Sequence, residues 1–190
     1  MKIFVFILAV CFSANLYARQ EIADSSHVYW SEGYKLTWDD FEKQPDQFLQ
    51  YGAYSFTGFK AQYDFTLTYY KATITAFFNK ELSWRRSKIM LLLQHEQGHF
   101  NLTELYSRIY RKRVKEEMEA GTLTVERFTE LSEEIEQSLR EAQEEYDEAT
   151  NYSLDLRAQL RWNELIVERL QEYAEYSNPE VIVKKKTDSH

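Results

Sequence analysis

The sequence predicts an α+β fold in which a small antiparallel sheet is followed by three consecutive helices. Residues 28–78 are aromatic and rich in β-forming types with scattered glycines, whereas apolar residues recur at helical spacing beyond residue 83. The length of 190 residues fits one globular domain. We therefore expect the sheet in the first half of the chain and the helices in the second.

Regular alternation of side-chain types predicts the sheet. It extends over residues 65–70 and again over 72–78, and a period of two places each set on one face of a strand. We expect one or two antiparallel strands here, with residues 54–59 as a partner strand. Residues 36–41 are typical of a turn into a short helix, which Asp39 or Asp40 can cap.

Capping residues delimit the three predicted helices. Ser83 is a candidate N-cap for a first helix that runs to about Ala120, before Gly121. A second helix follows Thr124, with apolar residues three or four apart and an acidic face that we interpret as solvent-facing. Ser153 can cap a third helix, which ends at residues 178–179, and we expect residues 179–190 to form a flexible tail.

The first 18 residues are typical of a secretory signal peptide. A basic start precedes a short apolar run over residues 3–12, and small residues lead to a cleavage site after Ala18. Cys11 lies within this segment, and lipid attachment there is the alternative interpretation. We predict export to the periplasm or beyond the cell, a single domain over residues 19–178, and no membrane association of the mature form.

The charge balance excludes one class of partner. The chain has 23 basic and 31 acidic side chains, and its net charge is −8. A nucleic-acid-binding protein needs an excess of lysine and arginine to replace the counterions along the phosphates. We therefore expect no nucleic-acid partner.

The residues that point to chemistry form a His-Glu-x-x-His pattern over residues 95–99. His95 and His99 are separated by one helical turn plus about 40°, so both imidazoles project from the same face of the first long helix. Glu96 is rotated by about 100° from His95, which allows its carboxylate to approach a metal-bound water. The histidines lie on an apolar stripe, so we expect both to point into the protein.

This pattern predicts a zincin-like metallopeptidase domain. Two neutral imidazoles and a third protein ligand leave one tetrahedral position of Zn²⁺ for water. The cation lowers the pKa of that water to about 7, and Glu96 serves as general base during attack on a peptide carbonyl. The expected substrate is a peptide or protein.

The third metal ligand is not part of the pattern. Glu104 is about 180° around the helix from His95 and cannot reach a shared ion. His27 and His190 lie near the two ends of the chain without supporting context. We expect the ligand to come from a later helix or the turn after it, within residues 144–152.

The chain resembles the bacterial domain-of-unknown-function 922 family, described as predicted secreted zinc-dependent proteases. The similarity extends from about residue 36 to Trp162, and its most specific pieces are residues 92–104 and 146–150. Gln159 and Trp162 follow the second piece at an interval that is typical of the family. The resemblance implies an exported zinc peptidase in which His95 and His99 bind the metal.

This sequence departs from the family at one position. The family carries a histidine two residues after the threonine of its Tyr-Asp-x-x-Thr unit, a candidate third ligand, and this chain has Tyr152 there. A phenolate binds zinc less readily than an imidazole at neutral pH, because the free pKa of tyrosine is about 10. Asp147 is the other candidate, either as a ligand or as an acceptor for an imidazole N–H.

Two other functions stay open from the sequence. One is a catalytically inactive family member that acts as a periplasmic binding or structural protein. The other is a purely structural helical module that holds no metal.

Overall fold

The computed structural model describes residues 25–45 and 51–185, in which four antiparallel strands accompany three long helices. The strands are β1 (His27–Tyr29), β2 (Ala53–Phe65), β3 (Tyr69–Arg85) and β4 (Glu180–Lys184), and the helices are α1 (Met90–Ala120), α2 (Val125–Ala149) and α3 (Leu156–Glu172). The α+β prediction is confirmed. The signal-peptide segment, Cys11 and His190 lie outside the described residues.

A long hairpin of β2 and β3 forms most of the sheet. The pairing runs from Phe65 opposite Tyr70 to Ala53 opposite Arg85, and the predicted partner strand 54–59 falls within β2. The alternation over 72–78 places four fully buried residues on the inner face: Ala72, Ile74, Ala76 and Phe78. The alternation over 65–70 does not form a continuous strand, because residues 66–68 make the turn and Thr66 Oγ1 accepts a hydrogen bond from the amide of Tyr69 (3.0 Å).

Ser83 does not cap α1, contrary to the prediction. It lies within β3, where its hydroxyl donates to the carbonyl of Asn79 (2.6 Å) and accepts from the amide of Phe56 (2.9 Å), beside a register shift in β2. The strand β3 continues past this contact to Arg85, and α1 begins at Met90. Its end is as predicted, because Gly121 adopts the left-handed conformation with φ of 74°.

The second helix has its expected cap, and the third does not. Thr124 accepts a hydrogen bond from the amide of Arg127 (3.1 Å) at the start of α2. At α3 the cap is Asp155, which accepts from the amide of Ala158 (3.0 Å), while Ser153 has a φ of 73° within the preceding turn. The helix ends at Glu172 and is followed by a short 3-10 turn over Ala174–Tyr176.

Part of the expected C-terminal tail is a strand. β4 pairs with β3, from Glu180 opposite Thr73 to Lys184 opposite Tyr69. Val181 is buried in the core beneath the sheet, and Lys71 forms an ion pair with Glu180 (2.5 Å). The prediction of a flexible tail from residue 179 is therefore wrong for residues 180–184.

Helix α1 is the central element of the fold. It contacts β2, β3, β4, α2 and α3, and most of its length is buried between the sheet and the other two helices. Its C-terminal half packs Tyr110, Val114 and Met118 into the main hydrophobic core, against the inner face of β3. The N-terminal half packs apolar side chains such as Leu93 and Phe100 into a second hydrophobic cluster, and it also buries the polar groups that form the candidate site.

No helix within residues 25–45 and 51–185 is long and apolar enough to cross a membrane.

Candidate metal centre

The first turns of α1 bury three titratable side chains. His95, Glu96 and His99 are 4%, 3% and 9% exposed. This confirms that both histidines face the interior. Because their hydration is lost, such groups require partners inside the protein.

The last turn of α2 brings a carboxylate to the two imidazoles. Oδ1 of Asp147 lies 2.9 Å from Nε2 of His95 and 3.0 Å from Nε2 of His99, and the two Nε2 atoms are 3.2 Å apart. These three residues form a group that could hold a metal ion. Of the two candidates left open by the sequence, Asp147 is the one that joins the histidines.

The three atoms are spaced as ligands of one small cation. Zn–N and Zn–O bonds of about 2.0–2.1 Å in a tetrahedral site place neighbouring ligand atoms about 3.3 Å apart. The observed separations of 2.9, 3.0 and 3.2 Å are slightly shorter. A small outward movement of the side chains therefore admits an ion.

A chain of hydrogen bonds determines which nitrogen of His95 carries its proton. The Tyr146 hydroxyl donates to the carbonyl of His95 (3.2 Å), so it accepts from the side-chain amide of Gln159 (2.5 Å). Oε1 of Gln159 consequently faces Nδ1 of His95 (3.1 Å). Because Gln159 offers an acceptor there, Nδ1 holds the hydrogen and Nε2 presents a lone pair to the cluster.

This arrangement has more acceptors than donors. A hydrogen on Nε2 of His99 can serve Asp147 or His95, but the lone pair of His95 Nε2 still faces the carboxylate oxygen at 2.9 Å. A cation between the three atoms satisfies all of them at once. The residues present therefore fit a metal ion.

The charges within the cluster shift one another's pKa values. Burial raises the pKa of Asp147, but the two imidazoles, which lie 2.9 and 3.0 Å away, outweigh this effect and lower it overall. Burial lowers the pKa of His99, but the hydrogen bond with Asp147 and the charge of Glu96 outweigh it and raise it overall. Asp147 is thus held as a carboxylate, the form that binds a cation.

Glu96 lies beside the cluster rather than in it. Its Oε2 accepts a hydrogen bond from Oγ of Ser55 on β2 (2.5 Å). Burial raises the pKa of Glu96, and the effect exceeds the opposing influence of His99 and Ser55. A carboxylate with a raised pKa is suited to exchanging a proton near neutral pH.

Gly98 permits the close packing of this site. A Cβ atom at this position would lie 2.1 Å from the Tyr146 hydroxyl. The absence of a side chain lets the ring of Tyr146 stack on His95, with centroids 4.6 Å apart and planes at 14°. A glycine inside a strongly helical pattern is the sequence signal for such close packing, and no role was predicted for Gly98.

The other candidate residues have different surroundings. Tyr152 is half-exposed, and its ring packs against Tyr51 with centroids 6.0 Å apart, in a turn where residues 151–153 all have positive φ. Glu104 pairs with Arg108 and Arg111 on the other side of α1, as its position on the helix predicted. His27 lies on β1 beside Asn79 (3.2 Å).

A cavity of about 650 Å³ opens onto the cluster. It is lined by the first turns of α1, by residues 51–55 and by residues 152–154. Asp147, Glu96 and both histidines line it. A molecule in this cavity can therefore reach the candidate metal ligands and Glu96 together.

Comparisons with known proteins do not identify a relative. No family model, no curated protein and no solved structure matches the chain. The family resemblance drawn from the sequence stays a prediction.

Proposed function

We propose that the protein is a zinc-dependent metallopeptidase that hydrolyses peptide bonds. The observation that carries the proposal is the convergence of His95 Nε2, His99 Nε2 and Asp147 Oδ1 on one point. Glu96 beside this point and the open cavity above it supply the remaining requirements of a hydrolase.

The donor set favours zinc over other cations. Two imidazoles and one carboxylate are the three protein ligands of a common type of catalytic zinc site, which keeps its fourth position open. Magnesium and calcium prefer sites made of oxygen atoms alone. Asp147 is partly exposed and lines the cavity, so a molecule that enters the cavity would have access to an ion held by these three residues.

Each residue has a distinct role in the proposed reaction. Zinc supplies a Lewis acid that acidifies water and polarises a carbonyl group. Glu96 accepts a proton on its carboxylate as the carbonyl is attacked, and then donates it to the leaving amine. Ser55 holds Oε2 of Glu96 at 2.5 Å, which orients the carboxylate for this transfer. Gln159 and Tyr146 keep Nε2 of His95 free of hydrogen.

The first experiment is a zinc titration of metal-stripped protein, followed by hydrolysis of a fluorogenic casein. We expect one zinc per chain, and hydrolysis only after zinc is restored. Glu96→Gln should retain zinc and lose hydrolysis, whereas His99→Ala should lose both. A protein that binds zinc but hydrolyses nothing would instead be the inactive binding or structural protein, and one that binds no zinc would be a structural module.

We further propose a zincin-like family relationship and export of the protein. The supporting observations are the His-Glu-x-x-His pattern on α1 and the signal-like first 18 residues of the sequence. Expression from the full sequence in a bacterium should yield an exported form that begins at Arg19, as determined by N-terminal sequencing. A protein that retains Met1 and stays in the cytoplasm would contradict export.

A further inference from the structure

The cavity beside the metal centre has mainly apolar walls. Seven large apolar or aromatic side chains line it: Tyr51, Tyr54, Ile89, Leu91, Leu92, Tyr152 and Leu154. We infer that it selects an internal segment of an unfolded peptide that carries a bulky, uncharged apolar side chain. This inference rests on the proposed function and assigns its substrate class.

The charges of the lining exclude acidic groups. Among the described residues that line the cavity, the carboxylates of Glu96 and Asp147 are present and no lysine or arginine is. Away from the metal ligands, a substrate carboxylate would lose its hydration there without gaining a lysine or arginine to pair with. This disfavours aspartate and glutamate side chains in the apolar part of the cavity, and also a C-terminal carboxylate held by a basic side chain.

The lining also offers no free carboxylate to a basic side chain. Asp147 is held between two imidazoles at 2.9 and 3.0 Å, and Glu96 accepts from Ser55. When zinc is bound, its positive charge lies next to both carboxylates and repels a substrate ammonium group. A lysine side chain or a free N-terminus therefore finds no counter-ion here, which disfavours an aminopeptidase.

The size and shape of the cavity fit a short peptide segment. Its volume of about 650 Å³ is within the range of small-ligand pockets. The rings of Tyr51 and Tyr152 face each other at 6.0 Å between centroids, and together they form an aromatic surface on one side. Flat apolar walls of this kind stabilise aromatic and aliphatic side chains by burying their surface.

The experiment compares zinc-loaded protein on internally quenched peptides that differ at one central residue. The flanking residues are glycine, serine and alanine, both termini are blocked, and the central residue is phenylalanine, leucine, glutamate or lysine. We expect kcat/KM for the phenylalanine and leucine peptides to exceed that for the glutamate peptide by about 100-fold or more. Equal cleavage of all four peptides, or a preference for a charged one, would overturn the inference.

Two lysine substitutions test whether the cavity wall is responsible. Leu154 lines the cavity and is 77% exposed, and Val167 lies on α3 outside the cavity lining and is 62% exposed. Leu154→Lys should raise kcat/KM for the glutamate peptide by about 5-fold, because it adds a cation to the wall. Val167→Lys is the matched control and should leave the ratio between peptides unchanged.

A binding measurement separates this inference from the proposed function. Zinc-loaded Glu96→Gln protein is titrated with the phenylalanine and glutamate peptides by calorimetry. Selective binding of the phenylalanine peptide supports the inference even if the unaltered protein cleaves nothing, an outcome that would refute only the peptidase proposal. Equal binding of the two peptides overturns the substrate class regardless of activity.

Discussion

Helix α1 buries two clusters of charged side chains that differ in how well hydrogen-bond donors match acceptors. The metal cluster consists of His95, His99 and the facing Asp147, with Glu96 beside it. The arginine cluster begins one turn later on the other side of the helix and consists of Glu104, Arg108 and Arg111. His95, Glu96, His99 and the three members of the arginine cluster are buried, whereas Asp147 is partly exposed to the cavity.

The arginine cluster has hydrogen-bond partners within the protein for its charged groups. Glu104 Oε1 accepts from Arg108 Nε and from Arg111 Nη1, each at 2.9 Å. Arg111 Nη2 donates to Glu104 Oε2 (3.2 Å), and the two guanidinium groups also donate to the backbone carbonyls of Ile74, Leu170 and Tyr176. This network ties α1 to β3, to the end of α3 and to the turn after it.

In the metal cluster, the acceptors are not all matched by donors. It places three electron-rich atoms within 3.2 Å of one another. If the proposed metal site is correct, an excess of buried acceptors, rather than burial of charge itself, would distinguish a cation site from a structural ion pair. The following predictions test that distinction, from the largest expected effect to the smallest.

The largest effect is expected in the arginine cluster. Arg111→Ala leaves Glu104 and two carbonyls with fewer donors, and should lower the free energy of unfolding by about 3–5 kcal/mol. Urea denaturation of the metal-free protein measures this loss. Zinc affinity of the folded variant should stay within a few-fold, and a loss below about 1 kcal/mol would show that the network is not structural.

The second effect is stabilisation by zinc. At a free zinc concentration 100 times the dissociation constant, the free energy of unfolding should rise by about 2.7 kcal/mol. Asp147→Asn removes the carboxylate charge and should abolish most of this increase in thermal melts. Glu148→Gln on the neighbouring exposed position is the control and should retain it. Equal zinc stabilisation of both variants would exclude Asp147 as a ligand.

The third effect concerns the hydrogen-bond chain behind His95. Gln159→Leu removes the acceptor facing Nδ1, so the hydrogen can move to Nε2, and zinc affinity should fall about 10- to 100-fold. Nitrogen-15 NMR of the metal-free protein should show the Nδ1–H form of His95 in the unaltered chain and a mixture in the variant. If the unaltered chain already has its hydrogen on Nε2, the assigned chain of donors is wrong.

The smallest effect is a pH-dependent gain in stability. Burial raises the pKa of Glu96 in the folded protein. The contribution of Glu96 to the free energy of unfolding is therefore most favourable below its ordinary pKa of 4.5, and it is lost as the pH rises through the pKa of Glu96 in the folded state. Metal-free Glu96→Gln avoids this loss and should be about 1 kcal/mol more stable at neutral pH, with little advantage at pH 4. Thermal melts across this pH range would contradict the expectation if the advantage grew towards acid.

Much of the fold follows from local patterns in the sequence. The periodicity of α2, the cap at Thr124 and the stop at Gly121 all depend on neighbouring residues, and the structure confirms them. Ser83 and residues 180–184 depend on contacts with strands distant in the sequence, which a local pattern does not contain. For this reason the predicted N-cap of α1 at Ser83 is wrong, and the sequence did not predict β4.

The candidate site divides in the same way. His95, Glu96 and His99 share one helix, so their spacing alone placed them together. Asp147 comes from a second helix, and the sequence could not choose between it and Tyr152 because the choice depends on how α1 and α2 pack. The hydrogen bond between Gln159 and His95 could not be predicted either, because it depends on how α3 packs against α1.

The position of β4 determines where the chain can be shortened or tagged. This strand follows all three helices in the sequence but joins β3, so Lys71 and Glu180 meet across 109 positions. The sheet cannot be completed until nearly the whole described chain has emerged from the ribosome. A shortened version that stops after α3 would expose a strand edge prone to aggregation, and purification tags are better separated from Lys184 by a flexible spacer.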